Sequence, residues 1–155
     1  MERFDRLVRQ LMVGVPRRVV AVAPDASVAQ ALTVMAEADV GAVLVLDHEQ
    51  LVGVLSERDF ARGGELQGRT AQRTRVQELM TREVIYVTPE HTVNQCMALM
   101  TGKRIRHLPI LEGREVVGVV SIGDLVKSLL SRYEETLREL EHDQLFMRVG
   151  ETGYY

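Results

Sequence analysis

An α+β fold built from two β-α-β-β-α units is predicted by three features of this 155-residue sequence. The first is an internal repeat. Pro24, Ser27, Val28, Gln30, Met35, Gly53 and Asp59 recur 65 positions later as Pro89, Thr92, Val93, Gln95, Met100, Gly118 and Asp124, and residues 20–60 match 85–125 without a gap. The second is a change of hydrophobic period within each copy, from a short β-rich run to helical spacing. The third is a pair of apolar runs ending each time in Gly, Val, an aliphatic residue, Ser, two variable residues and Asp, as "GVLSERD" and "GVVSIGD". A three-stranded unit of this size cannot cover both faces of its own sheet. The two are therefore expected to pack sheet against sheet about a pseudo-twofold axis, as one compact domain.

Each element follows from its residues. "VVAVAP" and "VIYVTP" read as strands closed by proline, which cannot continue a central ladder. Val28, Ala31, Leu32 and Met35 repeat at helical spacing after a Ser27 N-cap, and Thr92, Val93, Cys96, Met97 and Met100 do so in the second copy. The runs "GAVLVLD" and "LVGVLS", parted by "HEQ", form a hairpin, as do "HLPILE" and "VVGVVS", parted by "GRE". Ser56 and Ser121 each open a second helix. The chain divides into repeat 1 at 8–62, a Gly-, Arg- and Gln-rich linker at 63–76, repeat 2 at 77–130 and a helical extension and tail at 131–155. Each unit is preceded by "LM", three residues further from its proline at Leu11-Met12 than at Leu79-Met80.

Composition narrows the function classes. The chain is 46% hydrophobic with no long apolar stretch, so no membrane span is expected, and "MERFDRLVRQLM" lacks the apolar core of a secretory signal, which favours the cytoplasm. One cysteine, Cys96, on the apolar face of its helix, gives neither a disulfide framework nor, with four scattered histidines, a metal site. A net charge of −3 does not call for nucleic acid. Linker arginines Arg69, Arg73 and Arg75 fit a solvated loop.

Taken alone, S-x-x-D is a helix start, with Ser as cap and Asp at the positive end of the dipole. With a glycine in the strand before it, the same pattern also suits a nucleoside phosphate. The helix amides seat phosphate, Ser donates to it, and the carboxylate accepts from ribose hydroxyls.

These paired segments, the "LM…P…(S/T)V" lead-ins and "RHLPIL" resemble the cystathionine-β-synthase (CBS) domain, which works as a tandem pair called a Bateman module. The resemblance covers residues 8–130 and is closest to stand-alone bacterial CBS pairs. It implies two packed β-α-β-β-α units, dimerisation of modules, and clefts that bind AMP, ADP, ATP, NAD(H) or S-adenosylmethionine. Carried over by position, it places Asp59 and Asp124 on ribose hydroxyls and Ser56 and Ser121 near phosphate. Arg106 and His107 would reach phosphate across the cleft, with Arg58 a further cation beside the first motif. Adenine would lie among Val22, Val43, Val87 and Leu108. The first-repeat counterparts of Arg106 and His107 are Gly41 and Ala42, so the two sites are expected to be unequal.

The tail adds a second theme. Val126, Leu130, Tyr133, Leu137 and Leu140 follow a 4-3-4-3 spacing within a helical stretch at 124–147, and Glu134 and Arg138 form an i,i+4 pair on its outer side. Phe4, Leu7, Val8 and Leu11 form an apolar face that could meet it in cis or in a second subunit, and a homodimer is expected. The function this supports is a non-enzymatic adenosine-nucleotide sensor that transmits ligand state to a separate, unidentified protein. The alternative is a structural dimerisation or interaction module with vestigial sites. A catalytic role has neither the chain length for a barrel of about 250 residues nor a nucleophile-base pair.

Overall fold

The repeat appears in the backbone as a helix and a hairpin that start and stop 65 residues apart, followed each time by a second helix whose start keeps the same 65-residue offset. The computed structural model describes residues 5–13 and 19–151, with side chains as far as residue 145. In chain order the elements are α1 (Val8–Leu11), β1 (Ala21–Val22), α2 (Val28–Ala38), β2 (Ala42–Asp47), β3 (Gln50–Ser56), α3 (Glu57–Gly63), a 3₁₀ turn (Glu65–Gln67), α4 (Val76–Leu79), α5 (Val93–Lys103), β4 (His107–Glu112), β5 (Glu115–Ser121) and α6 (Ile122–Glu151).

Helices α2 and α5 begin alike because their sequences do. Ser27 Oγ accepts from Gln30 N at 3.1 Å while Gln30 Oε1 accepts from Ser27 N at 2.9 Å, and Thr92 and Gln95 repeat the exchange at 3.1 and 2.9 Å. Both helices stop at a left-handed residue, Asp39 and Arg104, each at φ 54°. Val28, Ala31 and Met35 of α2, and Val93, Cys96 and Met100 of α5, are buried as the spacing predicts. They pack on the core faces of their own hairpins to give one apolar core per repeat.

Hairpin β2–β3 carries a bulge between Val45 and Leu46, and hairpin β4–β5 carries its counterpart between Ile110 and Leu111. β1 lies parallel to β2; in the second repeat this strand is reduced to a bridge from Val87 to Ile110. The hairpins join where Gln50 pairs with Glu115, giving the order β1-β2-β3-β5-β4. Gln50 and Glu115 occupy the same position of their repeats, so the local twofold axis passes through this pair.

The segments that precede the repeats are exchanged between them. Val8 N donates to His91 O at 2.8 Å, Arg9 N to Pro89 O at 2.9 Å, and Val93 N to Arg6 O at 2.8 Å, all in repeat 2. Val76 N donates to Ala26 O at 2.9 Å, Gln77 N to Pro24 O at 2.9 Å, and Val28 N to Thr74 O at 2.8 Å, all in repeat 1. Val8 and Val76 are fully buried, each in the core of the repeat it does not lead into. Division by sequence order at 8–62 and 77–130 thus follows the chain, while each core is closed by the other unit's lead-in. Arg9 reinforces the contact by pairing with Glu90, and Arg6 pairs with Glu135 of α6 at 3.2 Å. Leu7, Val8 and Leu11 therefore engage repeat 2 in cis, while Phe4 lies outside the described residues.

The linker expected at 63–76 is more ordered than its composition implies. α3 runs through Gly63, the 3₁₀ turn follows, and the segment folds back on repeat 1, with Ala29 N donating to Ala71 O at 2.9 Å and Thr74 buried. Its polarity reflects one solvated side.

The two hairpin turns differ in strain. Gly113 holds φ 65° in the second, whereas in the first both central residues, His48 and Glu49, have positive φ at 46° and 70°. That is the φ pattern of a type I′ turn, which favours Asn-Gly. Replacing Glu49 by Gly is expected to raise stability by about 1 kcal/mol, the left-handed cost outweighing the added unfolded-state entropy. Urea denaturation should show a higher midpoint at unchanged slope, and a lower midpoint would contradict the assignment of strain to this residue.

Candidate functional site

Both S-x-x-D motifs fold into the same capped helix start. Ser56 Oγ accepts from Asp59 N at 3.1 Å while Asp59 Oδ2 accepts from Ser56 N at 2.9 Å; Ser121 and Asp124 do the same at 3.2 and 2.8 Å. One oxygen of each carboxylate is thus committed to the cap. Among the described residues, no protein donor is given to Oδ1 of either aspartate. The helix amides are less available than the sequence implied. Glu57 N donates to Gly41 O at 3.0 Å and Ile122 N to Arg106 O at 2.9 Å, while the third amide of each helix is taken by serine. The second, at Arg58 and Gly123, is the one left at each start.

These bonds gather two clusters. In repeat 2, His107 opens β4 opposite Ser121, Arg106 precedes it, and the Asp124 carboxylate is close enough to act on the imidazole. In repeat 1, Ala42 stands opposite Ser56, next to Gly41, Arg58 and Asp59. Arg58 and Arg106 are exposed, and both aspartates and both serines are half-buried. Although His107 is exposed as a residue, desolvation of its ring lowers its pKa from the ordinary imidazole value. Asp124 opposes that shift and Arg106 adds to it. Near neutral pH His107 is therefore an uncharged hydrogen-bonding group.

The residues expected to line adenine lie in or against the cores. Val43, Val87 and Leu108 are sealed in the cores at 2%, 0% and 0% exposure, and half-buried Val22 packs against the first core. Side chains alternate along a strand, so residues sharing a face with Ser56 are Ala42 and Val54, and those sharing a face with Ser121 are His107 and Val119. Period-two counting back from each serine carries this signal. A shallow hollow beside β1 and α2, lined by Val20, Ala21, Val34, Glu37 and Ala38, contains none of the motif residues.

The motif glycine has a structural task that the sequence did not assign. A Cβ on Gly53 would stand 2.6 Å from Met80 Sδ and 3.0 Å from Thr81 O, because the exchanged lead-in pairs with β3 there, Val54 N and Thr81 N each donating to the other's carbonyl. At Gly41, by contrast, a Cβ would meet nothing within 4 Å.

With this geometry in place, comparison with known proteins identifies the family. The CBS domain model matches residues 8–64 and 76–131. The chain belongs to the CBS-domain family. It is 39% identical over 121 residues to the mitochondrial CBS domain-containing protein CBSX3 of Arabidopsis thaliana, covering 75% of this chain and 59% of the relative, so it spans less than two thirds of that protein. It is 34% identical over 114 residues to the CBS domain-containing protein YhcV of Bacillus subtilis, covering 74% and 81% of the two chains. A solved CBS-domain containing protein from Agrobacterium tumefaciens superposes with a TM-score of 0.73 at 35% identity, covering 79% of this chain and 98% of the other. CBS pairs are in general regulatory, ligand-binding modules. Among the described residues no helix is long and apolar enough to cross a membrane, and no three His, Cys, Asp or Glu side chains form a metal-binding group.

Cys96 lies outside both clusters, fully buried, with its thiol pushed up to about 11 by desolvation and then by Asp5. It is expected to resist a thiol reagent at pH 8 in the native protein and to react once urea unfolds it; rapid native labelling would contradict this. Gly53→Ala should lower stability by about 1 to 3 kcal/mol, whereas Gly41→Ala should change it little. Equal midpoints for the two variants in thermal denaturation would rule out the packing role of Gly53.

Proposed function

We propose that the chain is a regulatory module that binds an adenosine nucleotide at the S-x-x-D ends of its CBS repeats and passes the ligand state, as a homodimer, to a separate protein. The observation that carries this is the half-committed carboxylate: Asp59 and Asp124 each spend Oδ2 on the cap and keep Oδ1 for a ribose hydroxyl. The ligand range is AMP, ADP, ATP, NAD(H) or another adenosyl compound. Transmission requires that the ligand bind two arrangements of the module with different affinity.

The sites are unequal. Repeat 2 offers the Arg106 guanidinium, the His107 ring and the Gly123 amide; repeat 1 offers Gly41 and Ala42 in place of the first two, with Arg58 as its cation. A phosphorylated ligand is therefore expected to prefer repeat 2. The second reading, an interaction module with vestigial sites, is favoured at repeat 1 by the missing basic pair.

Isothermal titration with AMP, ADP, ATP, NAD(H) and S-adenosylmethionine separates the two readings. Asp124→Asn can retain an oxygen for the Ser121 cap while losing the second acceptor, so it should weaken binding by about 1 to 3 kcal/mol, with little change in thermal stability. Asp59→Asn should have the smaller effect on a phosphorylated ligand. No binding by any of these compounds, or affinity indifferent to both substitutions, would leave the interaction module.

A further inference from the structure

α6 presents two faces of different kind. Leu125 and Ser128 are buried, Leu129 packs against the core of repeat 2, and Glu135 holds Arg6. About a third of a turn around the helix, Val126, Leu130, Tyr133, Leu137 and Leu140 remain exposed at 41, 57, 69, 59 and 54%. The described N-terminal residues are engaged elsewhere, since Val8 and Leu11 pack into repeat 2 and Arg6 reaches the other side of the helix. The 4-3-4-3 spacing is that of a coiled-coil seam, a surface made to meet another helix along its length.

Charge indicates what the other helix is. Between residues 122 and 145, Lys127 and Arg132 against Asp124 leave the first half of α6 weakly basic, while Glu134, Glu135, Glu139, Glu141 and Asp143 against Arg138 make the second half strongly acidic. Such a gradient opposes parallel pairing of two copies and favours the antiparallel one, in which each basic half lies along an acidic half. The seam is self-complementary in the same sense. Aligning Leu130 with Leu140 of a second copy sets Tyr133 against Leu137, Val126 against Gln144 and Lys127 beside Glu141, each made twice as an isologous interface requires, at the cost of bringing the two Glu134 side chains near one another at the axis.

We propose that α6 pairs antiparallel with α6 of a second copy through Val126, Leu130, Tyr133, Leu137 and Leu140. This rests on the homodimer of the reading above and is independent of its ligand. Because α6 begins at the Ser121–Asp124 motif, the pairing joins the second candidate site of each copy to the interface through one continuous helix.

Light scattering on the full chain over a concentration series is expected to give a dimer. Leu137→Glu, at an exposed position and with a good helix former, should raise the dissociation constant at least tenfold with helix content unchanged. Orientation is read by disulfide trapping, with buried Cys96 out of reach: chains carrying Leu130→Cys mixed with chains carrying Leu140→Cys should cross-link, and Leu130→Cys chains alone should not. A monomeric wild-type chain, or cross-linking of Leu130→Cys chains alone, would overturn the proposal. A dimer indifferent to Leu137→Glu would also overturn it, while leaving the homodimer and the nucleotide reading to their own tests.

Discussion

Residues 6–9 are hydrogen-bonded into repeat 2 and residues 74–77 into repeat 1, so each repeat completes its core with a segment that the chain supplies ahead of the other one. Neither β-α-β-β-α unit is closed without that contribution. With Val8 or Val76 withdrawn, a fully buried valine worth about 1.5 to 3 kcal/mol is lost from a core of this small size, together with the backbone bonds at the start of α5 or α2. The pseudo-twofold axis at Gln50 and Glu115 follows from the same mutual dependence.

The exchange also shapes the candidate site. It is the returning lead-in, at Met80 and Thr81, that presses against Gly53, three residues before the Ser56 cap. Strand β3, the glycine and the helix start are thereby fixed as one piece, and the carboxylate of Asp59 is held where one oxygen caps and the other stays open. In repeat 2 the corresponding piece continues into α6, whose 30 residues extend about 45 Å from the motif. A change in the position of Asp124 would be carried along that helix as a rigid displacement.

Much of this architecture was legible in the sequence because it rests on local chemistry. The 65-residue offset, the Ser27 and Thr92 caps, the burial of Cys96 and the S-x-x-D helix starts all depend on residues within one turn or one strand of each other. The exchange of the lead-ins was not legible, since the preference of Val8 for the core of repeat 2 over repeat 1 depends on tertiary packing that two near-identical repeats do not distinguish by pattern. The folding of the linker back onto repeat 1 was not legible either, since its solvent side dominates its composition. The pairing of Ser56 with Asp59 and of Ser121 with Asp124 was legible from their spacing, whereas Val43 and Leu108 stand one residue out of phase with the face that carries the serines. In a strand, that single step separates the core from the open side.

The mutual closure of the repeats is tested most directly by native-state hydrogen exchange resolved by residue. The amides of Val8, Val28, Val76 and Val93 span both lead-ins and both helix starts. If each repeat depends on the other's lead-in, these four should exchange through openings of the same free energy, equal to that of global unfolding, and respond alike to urea. Protection of Val28 and Val76 that fails well below that of Val8 and Val93, or the reverse, would show one repeat opening while the other stands, and would contradict the account.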